Sequence, residues 1–240
     1  WWSCYNSFSS SKITFIMSYN NIIDETVRSI MQHPTAYIIS QNLHDRLAQE
    51  RQNRQRFYEQ IEENKKMEFI NGEIYFHSPV MLRHNEATLF LCQLLNTYVR
   101  KNKLGFVGIE KILISLTRND YEPDICFFSN EKAQHFTPTQ RQFPTPDFVV
   151  EVLSNSTEHH DRQIKWEDYA AHGIAEYWIV DPDEQIVEQY LLSPHATTYH
   201  LHLKVQQGTI SSTVIKGFTI PVTAIFDETD NMAALVELLY

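Results

Sequence analysis

Apolar and polar residues are distributed along the chain in patterns typical of helices in the first half and of strands in the second. Residues 39–65 lack Gly and Pro and are rich in Gln, Glu, Arg and Lys, which predicts a polar helix or a pair of helices with a thin apolar stripe. From Met67 to Phe76 an Asn-Gly pair separates two apolar runs, as in a type I′ hairpin. From His84 to about Lys101 apolar residues recur at helical spacing, which predicts a core helix.

The rest of the chain is predicted to be mainly strands with one internal helix. Strand-like runs stand at Phe106–Leu116, Ile125–Phe128 and Phe148–Leu153, with a Pro-, Thr- and Gln-rich loop over residues 137–146. A helix is predicted from Ser156-Thr157-Glu158 to Gly173. Two hairpins are then expected, from Tyr177 to Tyr190 and from Tyr199–Val205 with Thr209–Ile215, before a short helix from Asn231 to Tyr240.

This order predicts an α/β fold in which a mixed β-sheet is flanked by helices, with β-hairpins in the C-terminal part. We expect a partly helical N-terminal extension over residues 1–55 and one catalytic domain over residues 56–240. Met17 is a candidate start, and residues 1–16 carry no signal-peptide pattern, so they are left out of the functional interpretation.

Bulk composition narrows the class of protein. The three cysteines include no CxxC pair, which argues against a disulfide framework or a zinc knuckle and favours a reducing cytoplasm. No run of 18 apolar residues occurs, so no membrane span is predicted. The formal net charge of −10 argues against a protein that coats nucleic acid, although contact with a phosphate backbone at one site requires only a local basic strip.

The chemistry is indicated by two acids in neighbouring apolar runs. Glu122-Pro123-Asp124 opens one run, and Glu151 stands between valines in the next. Asp124 and Glu151 converge if the two strands pair antiparallel, because alternate residues of a strand share a face. Two adjacent carboxylates repel each other unless a cation lies between them, and Mg²⁺ held by one or two carboxylates serves phosphoryl chemistry.

Lys165 is the candidate third element. It falls in the helix that follows Glu151, and an ammonium group near an attacked phosphate can position the water and balance developing charge. A surface ion pair with Asp161, four residues earlier, is the alternative.

These residues resemble the Uma family of putative restriction endonucleases, a branch of the PD-(D/E)xK nuclease superfamily, over roughly residues 56–200. The matching segments are Glu68 to Glu73, Ser78-Pro79 with His84, Pro123-Asp124, Pro146 to Ser154, Lys165 with Tyr169, and Gly173 to Pro182. The resemblance implies a restriction-endonuclease-like fold, dependence on Mg²⁺ or Mn²⁺, DNA as substrate and a homodimer as working unit.

The resemblance also implies roles for individual residues. Asp124 and Glu151 become the metal-binding acids, and Lys165 becomes the lysine that has moved to the following helix, because Leu153 stands where the wider superfamily carries its lysine. Glu73 matches a recurrent acid that assists near the metal water, and His84 matches a substrate-contacting or helix-capping position.

Each of these residues also has a structural interpretation. Asp124 alone is typical of a turn, and Lys165 and His84 are compatible with structural roles. Adjacent histidines on a helix point about 100° apart, so His159-His160 favours an exposed first turn over a metal site. Tyr177-Trp178 favours core packing.

Three functional hypotheses remain open on the sequence. The first is a Mg²⁺-dependent DNA endonuclease. The second is a catalytically degenerate domain of the same fold that binds nucleic acid or a protein partner, favoured by Leu153 and the negative net charge. The third is another metal hydrolase or transferase with a small phosphorylated substrate.

Overall fold

The computed structural model of the protein describes residues 23–61 and 65–240. The candidate start Met17 and the excluded residues 1–16 lie outside these ranges. Helix α1 covers residues 23–31, and helix α2 covers Ala36–Gln60. Helix α2 confirms the first form of the prediction over residues 39–65, a single polar helix, as far as Gln60; residues 62–64 lie outside the described ranges. The boundary predicted between residues 55 and 56 falls inside α2, whose only buried residue is Phe57. The helix is therefore continuous across that boundary, and the division stays a prediction.

The hairpin and the core helix predicted from the sequence are confirmed. Strands β1 (Met67–Ile70) and β2 (Glu73–Phe76) pair antiparallel around Asn71 and Gly72, whose φ angles of 51° and 92° are those that a type I′ turn requires. Helix α3 runs from Leu82 to Asn102, and its apolar stripe is buried.

The remaining elements are, in chain order, β3 (Gly105–Ile109), β4 (Leu113–Ser115), β5 (Asp120–Tyr121), β6 (Ile125–Ser129), α4 (Asn130–Ala133), β7 (Gln142–Phe143), β8 (Phe148–Val152), a π-helical turn (His160–Lys165) that continues as α5 (Trp166–Ala171), β9 (Glu176–Asp181), β10 (Ile186–Leu191), β11 (His200–Val205), β12 (Thr209–Ser211), β13 (Thr219–Pro221), a 3₁₀ turn (Val222–Ile225) and α6 (Glu228–Leu239).

The fold is mixed α/β, as the sequence predicts. A six-stranded sheet has the order β11-β10-β9-β8-β6-β3, with β8 and β9 parallel and the other pairs antiparallel. A five-stranded sheet has the order β2-β1-β5-β4-β7. Alternate residues of β8 face opposite cores: Val150 and Val152 pack with α3, while Val149 packs with Tyr169 of α5. The larger sheet is therefore covered by helices on both faces.

One strand pairing differs from the sequence prediction. β11 pairs with β10, and β12 pairs with β13, so the predicted hairpin between Tyr199–Val205 and Thr209–Ile215 is wrong. The fully buried carboxylate of Glu176 explains the difference, because it accepts hydrogen bonds from Ser212, Thr213 and Val214 just after β12. These bonds hold the turn after β12 against β9.

No helix in the described ranges is both long and apolar enough to cross a lipid bilayer.

Candidate active site

Asp124 and Glu151 are brought together by the pairing of β6 with β8. The two strands are antiparallel with Ile125 opposite Val150, and one further step of the same register places Asp124 opposite Glu151. Residues directly opposite each other in an antiparallel pair point to the same face. Asp124 also accepts a hydrogen bond at Oδ2 from the Val152 N–H at 2.8 Å. The antiparallel arrangement that the sequence required is confirmed.

The Asp124 carboxylate is buried and ion-paired. Lys66 Nζ lies 2.6 Å from Oδ1, and His84 Nε2 lies 3.4 Å from Oδ2. Burial acts to raise the pKa of Asp124, but the charge of Lys66 and the hydrogen bond from His84 outweigh it and hold the pKa well below its usual range. Asp124 is therefore a carboxylate at any physiological pH.

Glu151 lies in a different electrostatic setting. Tyr169 donates a hydrogen bond to Oε1 at 2.8 Å, and Lys165 Nζ lies 3.1 Å from the same oxygen. Burial, which Lys165 only partly offsets, raises the pKa of Glu151 well above its ordinary value, and the charges of Asp161 and Asp124 add to the rise. Within the described ranges, Oε2 makes no hydrogen bond or ion pair. A cation at that oxygen would stabilise the ionised form.

Lys165 is an interior residue. Its ammonium lies 3.1 Å from Glu68 Oε1, 3.1 Å from Glu151 Oε1 and 3.0 Å from Asp161 Oδ1, and both Lys165 and Asp161 are 1% exposed. The ion pair with Asp161 thus exists but is not the surface pair that the sequence left open. Burial acts to lower the pKa of Lys165, and the carboxylates reverse this and raise it well above its ordinary value.

The local helix geometry explains why Asp161 and Lys165 both point inward. They lie in the π-helical turn His160–Lys165, and Tyr169 follows on the same buried face. Wider π-helical turns are frequent at functional sites. The predicted helix ends as expected, since Gly173 follows with φ of 75°.

Glu68 belongs to the same buried cluster and was missed in the sequence interpretation. It projects from β1, accepts the Glu122 N–H at Oε1 and pairs with His77 Nε2 at 3.0 Å through Oε2. Burial acts to raise the pKa of Glu68, but Lys165 and His77 lower it to about 2. The signal was available, because Glu68 stands between Met67 and Phe69 in an apolar run, as Glu151 stands between two valines.

The remaining sequence candidates are divided between the site and the surface. His84 lies at the start of α3, buried beside Asp124. Glu73 opens β2 opposite Ile70, is exposed, and does not line the cavity described below. His159 is exposed, while His160 is half-buried with its ring 4.7 Å from that of Tyr75.

A cavity of about 460 Å³ joins these groups. Its charged lining consists of three lysines and three carboxylates, and its remaining lining is polar or apolar: Lys65, Lys66, Lys165, Glu110, Asp124, Glu151, His77, His84, Ser78, Ser154, Ser156, Thr157, Phe76, Pro79 and Val80. The formal charges of the lining balance, in contrast to the negative chain as a whole. An anionic substrate therefore meets no net repulsion from these residues.

The acid pair fits one kind of metal ion. Among the described residues, no group of three or more His, Cys, Asp or Glu side chains forms a metal site. Mg²⁺ commonly keeps several waters and takes only one or two carboxylates from the protein. Glu151 lines the cavity and has Oε1 bonded to Tyr169, whereas Asp124 Oδ1 is held by Lys66. The donors fit a largely hydrated Mg²⁺ or Mn²⁺ and do not fit a closed, fully protein-ligated site.

Comparison with known proteins places the chain in a family. Residues 54–223 match the family model Uma2, described as a putative restriction endonuclease. The chain belongs to the Uma2 family. The resemblance inferred from the motifs is thus confirmed, and the family supports a nuclease-type function in general terms.

Two known proteins are similar to this chain. The uncharacterized protein sll1609 of Synechocystis sp. strain PCC 6803 is 30% identical over 128 residues, which is 52% of this chain and 71% of that protein. A crystal structure of a putative nuclease belonging to DUF820 from Anabaena variabilis superposes with a TM-score of 0.61 at 17% identity, covering 75% of this chain and 96% of the other. At that identity the likeness shows the fold alone.

Proposed function

We propose that this Uma2 protein is a metal-dependent endonuclease that hydrolyses DNA phosphodiester bonds. Asp124 and Glu151 would hold Mg²⁺, with Mn²⁺ as the alternative ion. The observation that supports this proposal most directly is that antiparallel pairing puts these two buried carboxylates opposite each other at a cavity lined by Lys66 and Lys165. A carboxylate pair of this kind is tolerated when cations compensate it.

The ion would supply acidity for a bound water and positive charge for the phosphate oxygens. The chain supplies positioning. The Val152 N–H fixes one oxygen of Asp124, and Tyr169 fixes one oxygen of Glu151. Lys165 favours the ionised form of Glu151, and His84 stands beside Asp124 facing the cavity, where it can contact substrate. The exposed Glu73 has no part in this geometry.

DNA is proposed as substrate because the formal charges of the cavity residues balance and because the family is described as a putative restriction endonuclease family. A homodimer is proposed because a symmetric pair of sites most simply cuts both strands of a duplex. A cytoplasmic location accords with Cys92 and Cys126, which are both free thiols.

Supercoiled plasmid tests this proposal. The wild-type protein with Mg²⁺ or Mn²⁺ should produce nicked and linear DNA, and Asp124→Asn or Glu151→Gln should reduce the rate by at least about 100-fold, the order expected when a group that stabilises transition-state charge is lost. Asp147→Asn is the matched control, because Asp147 is an ion-paired acid that precedes the same strand β8 outside the cavity. Full cutting by Glu151→Gln protein would refute the assignment.

A catalytically degenerate nuclease-fold domain that binds nucleic acid or a protein partner is the alternative. It is favoured by the 2.6 Å contact between Lys66 Nζ and Asp124 Oδ1, because an ammonium already occupies the oxygen that a metal would share. Calorimetry separates the two functions. An active site should bind Mn²⁺ with a stoichiometry of about one per chain, and a degenerate site should give no heat of binding.

A further inference from the structure

We infer that Lys66, and not Lys165, is the lysine that contacts the substrate phosphate. This inference rests on the proposed function and changes the roles of Lys66 and Lys165, two of the three lysines that line the cavity. It gives Lys66 a direct catalytic contact and makes Lys165 a positioning residue that acts through Glu151.

Lys165 is held by ion pairs in the interior of the protein. Its ammonium lies 3.0–3.1 Å from carboxylate oxygens of Glu68, Glu151 and Asp161, and its side chain is 1% exposed. A phosphate bound to Lys165 would have to enter this buried cluster and weaken one of the ion pairs, which would leave a buried charge poorly compensated.

Lys66 has the capacity that Lys165 lacks. It donates to Asp124 Oδ1 at 2.6 Å and to Glu110 Oε2 at 3.2 Å, so among the described residues one of its three N–H donors has no acceptor. Its side chain is 18% exposed, compared with 1% for Lys165. The free donor therefore belongs to a lysine that solvent and ligands can reach.

The position of Lys66 is also suitable. It precedes β1 and lines the same cavity as Asp124 and Glu151. Its ammonium is in direct contact with Asp124, so a phosphate oxygen bonded to Lys66 lies within a few ångströms of the acid pair. An N⁺–H to phosphate oxygen bond is charge-assisted and offsets charge where it develops. No bond within the protein must break for Lys66 to make this contact.

Two further charged residues of the cavity lining, Lys65 and Glu110, affect a phosphate bound at Lys66. Lys65 precedes Lys66 in the chain and adds a positive charge to the lining. Glu110, which pairs with Lys66, is 41% exposed, so solvent screens its negative charge more than that of the buried acids.

The salt dependence of DNA binding distinguishes the two lysines. Binding of a fluorescein-labelled duplex is measured by anisotropy in EDTA over a series of KCl concentrations, so that cleavage does not interfere. One lost phosphate contact lowers the slope of log K against log [KCl] by about 0.9. We expect Lys66→Met to show this loss and to bind roughly 10- to 100-fold more weakly at low salt. Lys66→Arg should restore the slope, since it keeps the charge.

Two comparison variants complete the experiment. Lys165→Met should leave the slope unchanged, because its ammonium does not meet the DNA. Lys204→Met is the matched control, since Lys204 is also paired with a carboxylate, Glu188, but lies outside the cavity. Circular dichroism of each variant verifies that it is folded, and Lys66→Gln, which also removes the charge, takes the place of Lys66→Met if that variant is unstable.

The outcomes separate this inference from the proposed function. A wild-type slope in folded Lys66→Met, or a reduced slope in Lys165→Met alone, overturns the inference. Absence of any duplex binding by the wild-type protein overturns the inference and the DNA substrate together. A slope that depends on Lys66 without nicking of plasmid in Mg²⁺ or Mn²⁺ supports the inference and refutes the endonuclease activity.

Discussion

Replacement of Lys165 by Met should destabilise the protein strongly. Lys165 is the shared counter-ion of Glu68, Glu151 and Asp161, all of which are at most 2% exposed. Removing one partner of a buried ion pair costs about 3–5 kcal/mol. Whole domains unfold at about 5–15 kcal/mol, so this single substitution removes a large fraction of the total stability.

The loss of stability caused by Lys165→Met should be larger at high pH than at low pH. Burial already raises the pKa values of Glu151 and Asp161 above their ordinary values, and loss of the ammonium, which lowers both, raises them further, so the folded variant takes up protons more readily than the unfolded chain. The penalty is therefore full at high pH and is relieved as pH falls through the raised pKa values. We expect the stability difference from wild type to shrink between pH 8 and pH 5.

Urea unfolding followed by circular dichroism measures this difference at each pH. Lys204→Met serves as the control, because Lys204 is 53% exposed and its ion pair should contribute less than about 1 kcal/mol. Asp161→Asn added to Lys165→Met should recover part of the loss, since it removes one of the uncompensated charges. A loss below about 1 kcal/mol, or a loss that does not change with pH, would contradict the buried-cluster reasoning.

Two further predictions concern residues outside the cavity. Arg54→Met should lower the free energy of unfolding in urea by about 3–5 kcal/mol, because Arg54 of α2 forms two hydrogen bonds with the fully buried carboxylate of Asp120. Arg118→Met should lower it by less than about 1 kcal/mol, because the ion pair of Arg118 with Glu50 of the same helix is half-exposed. Equal losses would show that α2 does not depend on the buried pair. Glu188→Gln should weaken the loss of stability at acid pH. Lys204 and other partners hold the pKa of Glu188 at about 2 although burial acts to raise it, so the stabilisation by ionised Glu188 is complete above about pH 4.5 and is lost as pH falls toward 2. At pH 3 the wild-type protein should have lost roughly 1 kcal/mol of this stabilisation once solvent screening is allowed for. An unchanged acid limb in the variant would refute this assignment.

Much of the fold follows from local signals in the sequence. The Asn71-Gly72 turn is specified by two residues that both need positive φ, and α3 by a regular apolar period. The pairing partner of β12 is not specified locally. It depends on Glu176, a residue more than 30 positions away whose carboxylate holds the following turn. Alternation of polar and apolar residues locates a strand but does not identify its neighbour.

The site was only partly predictable for a similar reason. Glu151 was identifiable because an acid inside an apolar run is costly unless it is compensated, and Asp124 because it opens the neighbouring apolar run. The same argument applies to Glu68, while Glu73, next to the hairpin turn, is exposed. Lys66 carries no comparable signal, since a lysine before a strand is ordinary, and its role depends on the sheet bringing Asp124 to it.

The central claim is that Asp124 and Glu151 together hold a divalent metal ion. Calorimetric titration of Mn²⁺ into the purified protein tests this claim most directly, because the result depends on the acid pair and on no assumption about substrate. We expect binding of about one ion per chain, abolished by Asp124→Asn and by Glu151→Gln and retained by Asp147→Asn. Binding that survives in both acid variants, or no binding in the wild-type protein, would contradict it.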